Sequence, residues 1–530
     1  FDIDHLAGVR QEDPEVFEAT HALALSLVRD GAVDGLRVDH PDGLADPFEY
    51  LPRLRAGGVD RVWVEKILDP GERLRDWPVC GTVGYEFLND VAALFVEPAG
   101  ERSLMAVWEE VSGDARPFGE VALEAKLEQV RGTFRPEVER LGWHSRTDLE
   151  RALSSLPIYR TYIQADAGAV SEADRIAIKA AGMPAELERV LRLEAEAPGG
   201  FVTRFQQTTP AVMAKGVEDT AFYRYARLLA LNDVGGDPSR FGISVSRLHE
   251  GNLERASRFP LNLLASQTHD AKRSADVRAR IGALASMADE WAEHAQRWMS
   301  MDVPNPVDAY FVFQTLVGAW PISVERVEAY VEKALREAKL RSNWLEPDLE
   351  YEGAVKGFVR SLYEDETFLA DFEPFAARVA EAGERVALRQ LVLKLTSPGV
   401  PDIYQGDELG FRALVDPDNR RPVDWDRRRD ALARVKGAGN APDGFELRKL
   451  WLTERLLALR AERPEAFQGS YEPVDASPDV CAFTRGGEVH VAVAVREGAT
   501  LPPAPSGWHE FLPGTTGLGI AVHLVHPTDA

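Results

Sequence analysis

Two short apolar runs, each ending in a carboxylate, constrain this chain more than any other feature. They are Leu36-Arg37-Val38-Asp39 and Arg61-Val62-Trp63-Val64-Glu65. Val62 and Val64 alternate with Trp63 and Glu65, the period of a strand. An amphipathic stretch from Val16 to Val28 precedes the first run and reads as a helix. The two carboxylates lie 26 residues apart, close to the ~30 residues of one βαβ unit. Consecutive parallel strands ending in acids predict a β/α barrel or a doubly wound sheet. A third run, Leu261 to Thr268, ends in His269-Asp270, and a fourth spans Pro398 to Gly406. One further strand is read near Ala211 to Lys215.

Between these strands the pattern is helical. It is so from about Pro98 to Gly200, where Ser171-Glu172-Ala173-Asp174 reads as a capping box and Pro184 to Glu196 as a helix. It is so again from Ser274 to about Leu395. Asp443-Gly444-Phe445-Glu446 reads as the cap of a last long helix, to about Arg460. After Pro464 the runs Cys481 to Thr484 and Val489 to Val495 flank Gly486-Gly487, a hairpin signal. The closing residues are therefore expected to form a small β-sandwich.

Charge narrows the partners. Among 530 residues, 61 Lys and Arg stand against 86 Asp and Glu, a net charge of −25. That balance repels phosphate backbones and anionic lipid, so neither nucleic acid nor membrane is an expected partner. No apolar run is long enough to span a bilayer. Cys80 and Cys481 are the only cysteines, too few for a disulfide framework, as in a reducing compartment. The opening Phe1-Asp2-Ile3-Asp4-His5 is neither basic nor apolar enough for a signal peptide. It lacks an initiating Met, which suggests that residue 1 is not where the gene product began.

Asp39, Glu65 and Asp270 all stand at the C-terminal ends of predicted strands, where barrel enzymes place their chemistry. Retaining glycosidases hold a carboxylate nucleophile and a carboxylic acid ~5–5.5 Å apart. Neighbouring strands lie ~4.8 Å apart, so adjacent strand ends meet that distance. Arg37 is two residues before Asp39 and points the same way, placed to orient the carboxylate. His269 is placed to donate to a sugar hydroxyl beside Asp270. On pattern alone, a lone Asp after a strand is ordinarily a helix cap, and Trp63 is expected to pack in the barrel wall.

The literal strings add a resemblance. Gly35-Leu36-Arg37-Val38-Asp39-His40 resembles the nucleophile motif of the α-amylase superfamily, Val64-Glu65-Lys66 its acid/base motif, and His269-Asp270 its third acidic motif. Longer strings resemble the maltooligosyltrehalose synthase family within it. They are Asp39 to Pro47, Val64 to Leu68, Ala214 to Tyr223, Thr268 to Ser274 and Asp416 to Trp425. The resemblance implies an α/β fold: the C-terminal portion of a (β/α)8 TIM-type barrel, with large helical insertions and a C-terminal β-sandwich. In that layout residues 1–97 carry barrel strands 4 and 5, 98–200 a helical insertion, and 201–273 strands 6 and 7. Residues 274–385 form a second insertion, 386–463 strand 8 and the last helix, and 464–530 the sandwich.

The resemblance also implies an intramolecular transglycosylase. It converts the reducing-end α-1,4 bond of a maltooligosaccharide to an α,α-1,1 bond by a retaining double displacement. Asp39 is then the nucleophile, Glu65 the acid/base and Asp270 the transition-state stabiliser. Arg37, His40, His269, Lys66, Lys272 and Lys215 are the expected substrate contacts. Loops after Asp270 and around Asp418 to Trp425 are expected to wall in the released glucose against water. No metal or other cofactor is expected. The setting implied is cytoplasmic, with a maltooligosyltrehalose trehalohydrolase as pathway partner.

The superfamily's first motif is absent, because no Asn in this chain precedes a His. Five strands fall short of the eight of a closed barrel and leave open edges. The expectation is that an N-terminal fragment of the same enzyme supplies the rest as a separate chain, and that this chain alone is inactive or poorly soluble. Two other functions are weighed: an α-glucan hydrolase or glucanotransferase with the same three acids, and a non-catalytic glucan-binding homologue, against which the intact Asp39, Glu65 and Asp270 argue.

Overall fold

Asp13 opens the first helix, Pro14–Arg29. Its carboxylate accepts the backbone N–H of Glu15 at 2.9 Å, with Pro14 in the first turn and Arg29 in the last. That is a capped helix with its dipole complemented at the C-terminal end. The structure, a computed structural model, describes residues 8–525. The opening Phe1 to His5, read above for a leader, lies outside the described residues.

The chain divides into two compact units, one running to Val83 and resuming at Gly119–Ala221, the other made of Gly84–Phe118 and Phe222 onward. In the first unit β1 (Leu36–Val38), β2 (Val62–Val64) and β3 (Gly81–Thr82) form a parallel sheet in that order. The register pairs Leu36 with Val62, Arg37 with Trp63 and Val38 with Val64. Asp46 caps the intervening helix, Pro47–Ala56, which buries Leu51 and Leu54. β3 carries no apolar alternation, so nothing in its sequence announced it.

The strand expected near Ala211 to Lys215 is helical instead. Residues Phe201–Met213 form an α-helix and Ala214–Ala221 a π-helical turn. The reason is the period. Phe201, Phe205 and Val212 lie along one stripe and bury against Val130, Phe134, Leu153, Ile163 and Leu187. The apolar run at Ala211 to Ala214 is one turn of that stripe. Ser171 does cap the helix Glu172–Ala180. The Asp174 carboxylate accepts from Tyr162 N and Arg75, so the reciprocal half of the box is not what it serves. The helix expected over Pro184 to Glu196 is shorter, Ala185–Leu191.

The second unit holds a two-stranded parallel sheet of β4 (Leu263–Leu264) and β5 (Val400–Pro401). The longer runs expected here contract to two residues each. Asn262, Ser266, Gln267 and Thr268 are buried and polar, and they satisfy side chains and turns rather than extending a ladder. Helices surround the pair, the longest being Glu366–Thr396. The last long helix, Phe445–Glu462, starts from Gly444 at φ 84°, without a side-chain cap from Asp443.

The C-terminal region is one antiparallel sheet among the described residues, not a sandwich. It orders β6 (Tyr471–Pro473), β7 (Val480–Arg485), β8 (Val489–Ala494), β10 (Ile520–Val525) and β9 (Trp508–Glu510). The hairpin β7–β8 turns on Gly486-Gly487, both at positive φ, as expected. Alternation explains the single layer. Cys481, Phe483, Val491, Val493, Ile520 and Val522 face Leu391, Leu395, Leu452, Leu456 and Leu459. Ala482, Ala492 and Ala521 face the other way and are covered by Val474, Ala499 and Leu501. Helices thus occupy the place of a second sheet. No helix among the described residues is long and apolar enough to cross a membrane.

Candidate active site

Gly35 starts the site because nothing larger fits. A Cβ there would meet the Arg61 carbonyl oxygen at 2.7 Å and the Trp63 ring at 2.9 Å. β1 therefore approaches β2 closely, and Trp63 packs over Gly35. Strand alternation sends Arg37, Asp39 and, across the register, Trp63 and Glu65 to one face. There Arg37 bridges both acids. Its Nε lies 3.1 Å from Asp39 Oδ1 and its Nη2 lies 2.9 Å from Glu65 Oε1. The sequence predicted the first contact. The second arises only from strand pairing, anchored by Glu65 N donating to Val38 O at 2.8 Å. Asp39 is the open carboxylate, 63% exposed, and Glu65 the sheltered one, 21% exposed.

Directly after Asp39 the backbone is strained. His40 adopts φ 48°, ψ 54°, left-handed for a non-glycine residue that also precedes proline. Such strain clusters at functional sites. The His40 ring lies over Gly43, whose hypothetical Cβ would sit 2.7 Å from Cδ2. The turn Pro41–Gly43 that follows is held from below. Arg160, 1% exposed, donates Nη1 to the carbonyls of Asp42 and Leu44, both at 2.6 Å. Gln207 donates to Gly43 O at 2.9 Å.

Lys66 does not lie with the expected substrate contacts. Alternation turns it to the face opposite Glu65, where it is 1% exposed. Its Nζ donates to Ile67 O at 2.6 Å and meets Glu72 Oε2 at 3.2 Å and Asp42 Oδ2 at 3.4 Å. The rings of Tyr159 and Tyr162 lie 5.2 and 5.9 Å from it. Asp42 also accepts the Tyr162 hydroxyl. Burial, then the neighbouring Glu72, pushes the Asp69 carboxyl up to about 8. Burial likewise raises Glu72 and lowers Lys126 to about 8. Asp42, Arg160, Tyr162 and Glu72 were not singled out as site residues. Asp42 sits within the quoted string after Asp39, but the other three carry no periodic or motif signal.

Lys215 stands in the π-helical turn, with Nζ 2.5 Å from Asp219 Oδ2 and its side chain 30% exposed. In the second unit, the turn after β4 presents Asp270, which is exposed, and His269, which is half-buried. Thr268 Oγ1 organises it, accepting from Asp270 N at 3.1 Å and Ala271 N at 3.2 Å and sharing a hydrogen bond with Tyr85 at 2.8 Å. Lys272 is buried, with its backbone N–H on Asp233 Oδ1 at 2.9 Å. Burial argues against the direct sugar contact expected of it. The loop carrying Asp418 reaches this turn, since Asn419 donates to His269 O at 2.9 Å. Arg326 pins that loop through both Asp418 oxygens at 2.7 Å. A cavity of about 900 Å³ among Asp276, Arg280, Glu384, Arg412, Arg427 and Glu446 touches none of the three acids.

Parallel strands ending in an arginine-bridged Asp and Glu, a Thr-organised His-Asp turn, and a C-terminal antiparallel sheet define a helix-rich α/β protein of the α-amylase type. No protein-family model matches the chain. Two relatives from Mycobacterium tuberculosis (strains CDC 1551 / Oshkosh and H37Rv) carry the name "Putative maltooligosyl trehalose synthase". Each is 36% identical over 563 residues, covering 98% of this chain and 71% of the relative. The solved maltooligosyltrehalose synthase from Arthrobacter ramosus superposes with a TM-score of 0.89 at 34% identity, over 98% of this chain and 74% of that one. The DSM5389 glycosyltrehalose synthase gives 0.84 at 32% identity, over 98% and 71%. The chain belongs to the maltooligosyl trehalose synthase family.

Proposed function

We propose that this chain carries the family's (1→4)-α-D-glucan 1-α-D-glucosylmutase activity, converting the terminal α-1,4 bond of a maltooligosaccharide to an α,α-1,1 bond. The observation that carries the reading is the Arg37 guanidinium bridging Asp39 and Glu65 at adjacent strand ends. A nucleophile must be ionised, reachable and fixed in direction. Asp39 is exposed on one side and held by a charge-assisted bond on the other. An acid that later serves as base must stay beside the scissile position through both steps, first to protonate the leaving oxygen and then to deprotonate the attacking one, and sheltered Glu65 meets that need.

In this reading Asp39 attacks the anomeric carbon of the penultimate sugar while Glu65 protonates the leaving glucose oxygen. The freed glucose turns, Glu65 takes the proton from its anomeric hydroxyl, and that oxygen displaces Asp39. Two inversions keep the α configuration. Asp270 is assigned to hydroxyl binding and to stabilising positive charge in the transition state. Arg37, His40, His269 and Lys215 remain the candidate sugar contacts, whereas Lys66 and Lys272 act from beneath. Water competes with glucose for the glycosyl-enzyme, so the pinned loop Asp418 to Trp425 is assigned to excluding it.

The fold reading is the C-terminal portion of a β/α barrel with large helical insertions. Its remaining strands would be supplied by an N-terminal polypeptide. A cytoplasmic setting and a trehalohydrolase consuming the product complete the proposal. The test follows reducing ends during incubation with maltohexaose, with a polypeptide carrying the preceding strands of a longer family member added, beside Glu65→Gln. Falling reducing power at constant oligosaccharide mass, abolished in Glu65→Gln, is the expected result. Rising reducing power would make the chain a hydrolase, and no change with retained glucan binding would make it a binding homologue.

A further inference from the structure

Consecutive residues at the end of β2 divide their work. Glu65 turns to the Arg37 face, and Lys66 turns to the buried face. What Lys66 finds there comes from two different loops. Asp42 belongs to the loop after β1, three residues beyond Asp39, and Glu72 belongs to the loop after β2, seven residues beyond Glu65. Glu72 Oε2 also accepts Asp69 N at 3.2 Å, closing the second loop on itself. The segment Tyr159 to Tyr162 lies against the same ammonium and holds the first loop by Arg160 and by the Tyr162 hydroxyl on Asp42. One buried cation is thus the shared partner of both loops that follow the proposed reacting acids.

We propose that Lys66 is a positioning residue. Its buried ammonium clasps Asp42 to Glu72 and so sets how far apart Asp39 and Glu65 are held. This rests on the reading of those two acids as the reacting pair. The physical case is one of direction and of isolation. Arg37 ties the two carboxylates at their tips but is 41% exposed and free to be pulled by solvent or sugar. Lys66 ties their loops at the root, out of water, where an ion pair is screened much less. Removing the cation leaves buried carboxylates uncompensated, so the loops are expected to separate rather than to relax in place. Retaining chemistry tolerates little of that, because a displacement of ~1 Å costs on the order of 10²-fold in rate.

Lys66→Met alone strands Asp42 beside Glu72 and endangers folding. The decisive variant is therefore Lys66→Met with Asp42→Asn, compared with Lys66→Arg and with the unaltered chain. Two readouts are taken. In hydrogen–deuterium exchange, peptides covering residues 39–46 and 65–72 are expected to exchange on the order of tenfold faster in the double variant, with the helix Phe201–Met213 unchanged. In turnover of maltohexaose with the N-terminal polypeptide of a longer family member added, normalised to active sites titrated with a covalent glycosyl inhibitor, kcat is expected to fall on the order of 10²-fold. KM should stay within about threefold, and Lys66→Arg should recover part of kcat. Unaltered exchange in either loop overturns the clasp. So does an unchanged kcat per titrated site. Failure of the unaltered chain to isomerise maltohexaose in the presence of the polypeptide that supplies the preceding strands would count against the functional reading, and the exchange result would still decide the clasp.

Discussion

Arg37 holds two carboxylates with one planar group, and that geometry is what a lysine cannot copy. A guanidinium offers donors on two edges at once, whereas an ammonium is a compact point charge on a flexible stem. Arg37→Lys is expected to keep one contact and lose the other, letting Asp39 and Glu65 drift apart. The expected result is a fall in kcat on the order of 10²-fold. The melting temperature should move little, because exposed ion pairs contribute about 0–1 kcal/mol. Turnover of maltohexaose with the N-terminal polypeptide of a longer family member added, together with a thermal melt, checks both halves. A large loss of stability would mean that the pair is structural rather than preparatory for chemistry. The Arg37–Asp39 contact was legible because an i, i+2 spacing in a strand fixes a shared face. The Arg37–Glu65 contact was not, since it depends on which strands pair and in what register. The burial of Lys66 was legible by the same rule: the alternation that places Arg37 beside Asp39 places Lys66 on the face opposite Glu65.

At the scale of elements, legibility followed the length of the periodic signal. The helix Pro14–Arg29 and the hairpin β7–β8 were readable because each repeats its pattern many times or turns on a Gly-Gly pair. β3, β4 and β5 span two residues each, too few for any period. The C-terminal strands were legible, but not what packs on them, because a sheet and a helix layer ask the same of an inward face. That sheet contains a pH-sensitive element. His490 and His523 are paired across β8 and β10 with their Nδ1 atoms 3.4 Å apart. Burial, then the second imidazole, lowers His490 to about 4. A histidine depressed in the folded state contributes stability that is complete above its unfolded value near 6.5 and is lost as pH falls toward 4. Replacing His490 with Gln should therefore flatten the decline of the denaturation midpoint between about pH 6.5 and 4. Chemical denaturation across that range, with and without the substitution, gives the comparison. A wild-type decline that survives unchanged in His490→Gln would assign the acid sensitivity elsewhere.

For the whole molecule, the open question is what covers the outer edge of β1. Among the described residues of its unit β1 pairs only with β2, and the helix Pro14–Arg29 beside it in sequence buries only Phe17. Leu23 is 71% exposed and Val9 58%. An unpaired strand edge is a template for further strands, and exposed apolar side chains add to it; in isolation both are routes to self-association. A net charge of −25 opposes that association at long range, but salt screens it while the edge remains. The chain alone is accordingly expected to associate as protein and salt concentrations rise. A polypeptide carrying the preceding strands of a longer family member should suppress this by pairing with β1. Its binding should raise the melting temperature by several degrees, since a partner selective for the folded state stabilises it by mass action. Light scattering and thermal melts at rising salt, with and without that polypeptide, measure both effects. Leu23→Lys should weaken association of the chain alone without changing the melt. A chain that stays monodisperse at high salt, or that ignores the added polypeptide, would mean that the edge of β1 is already protected.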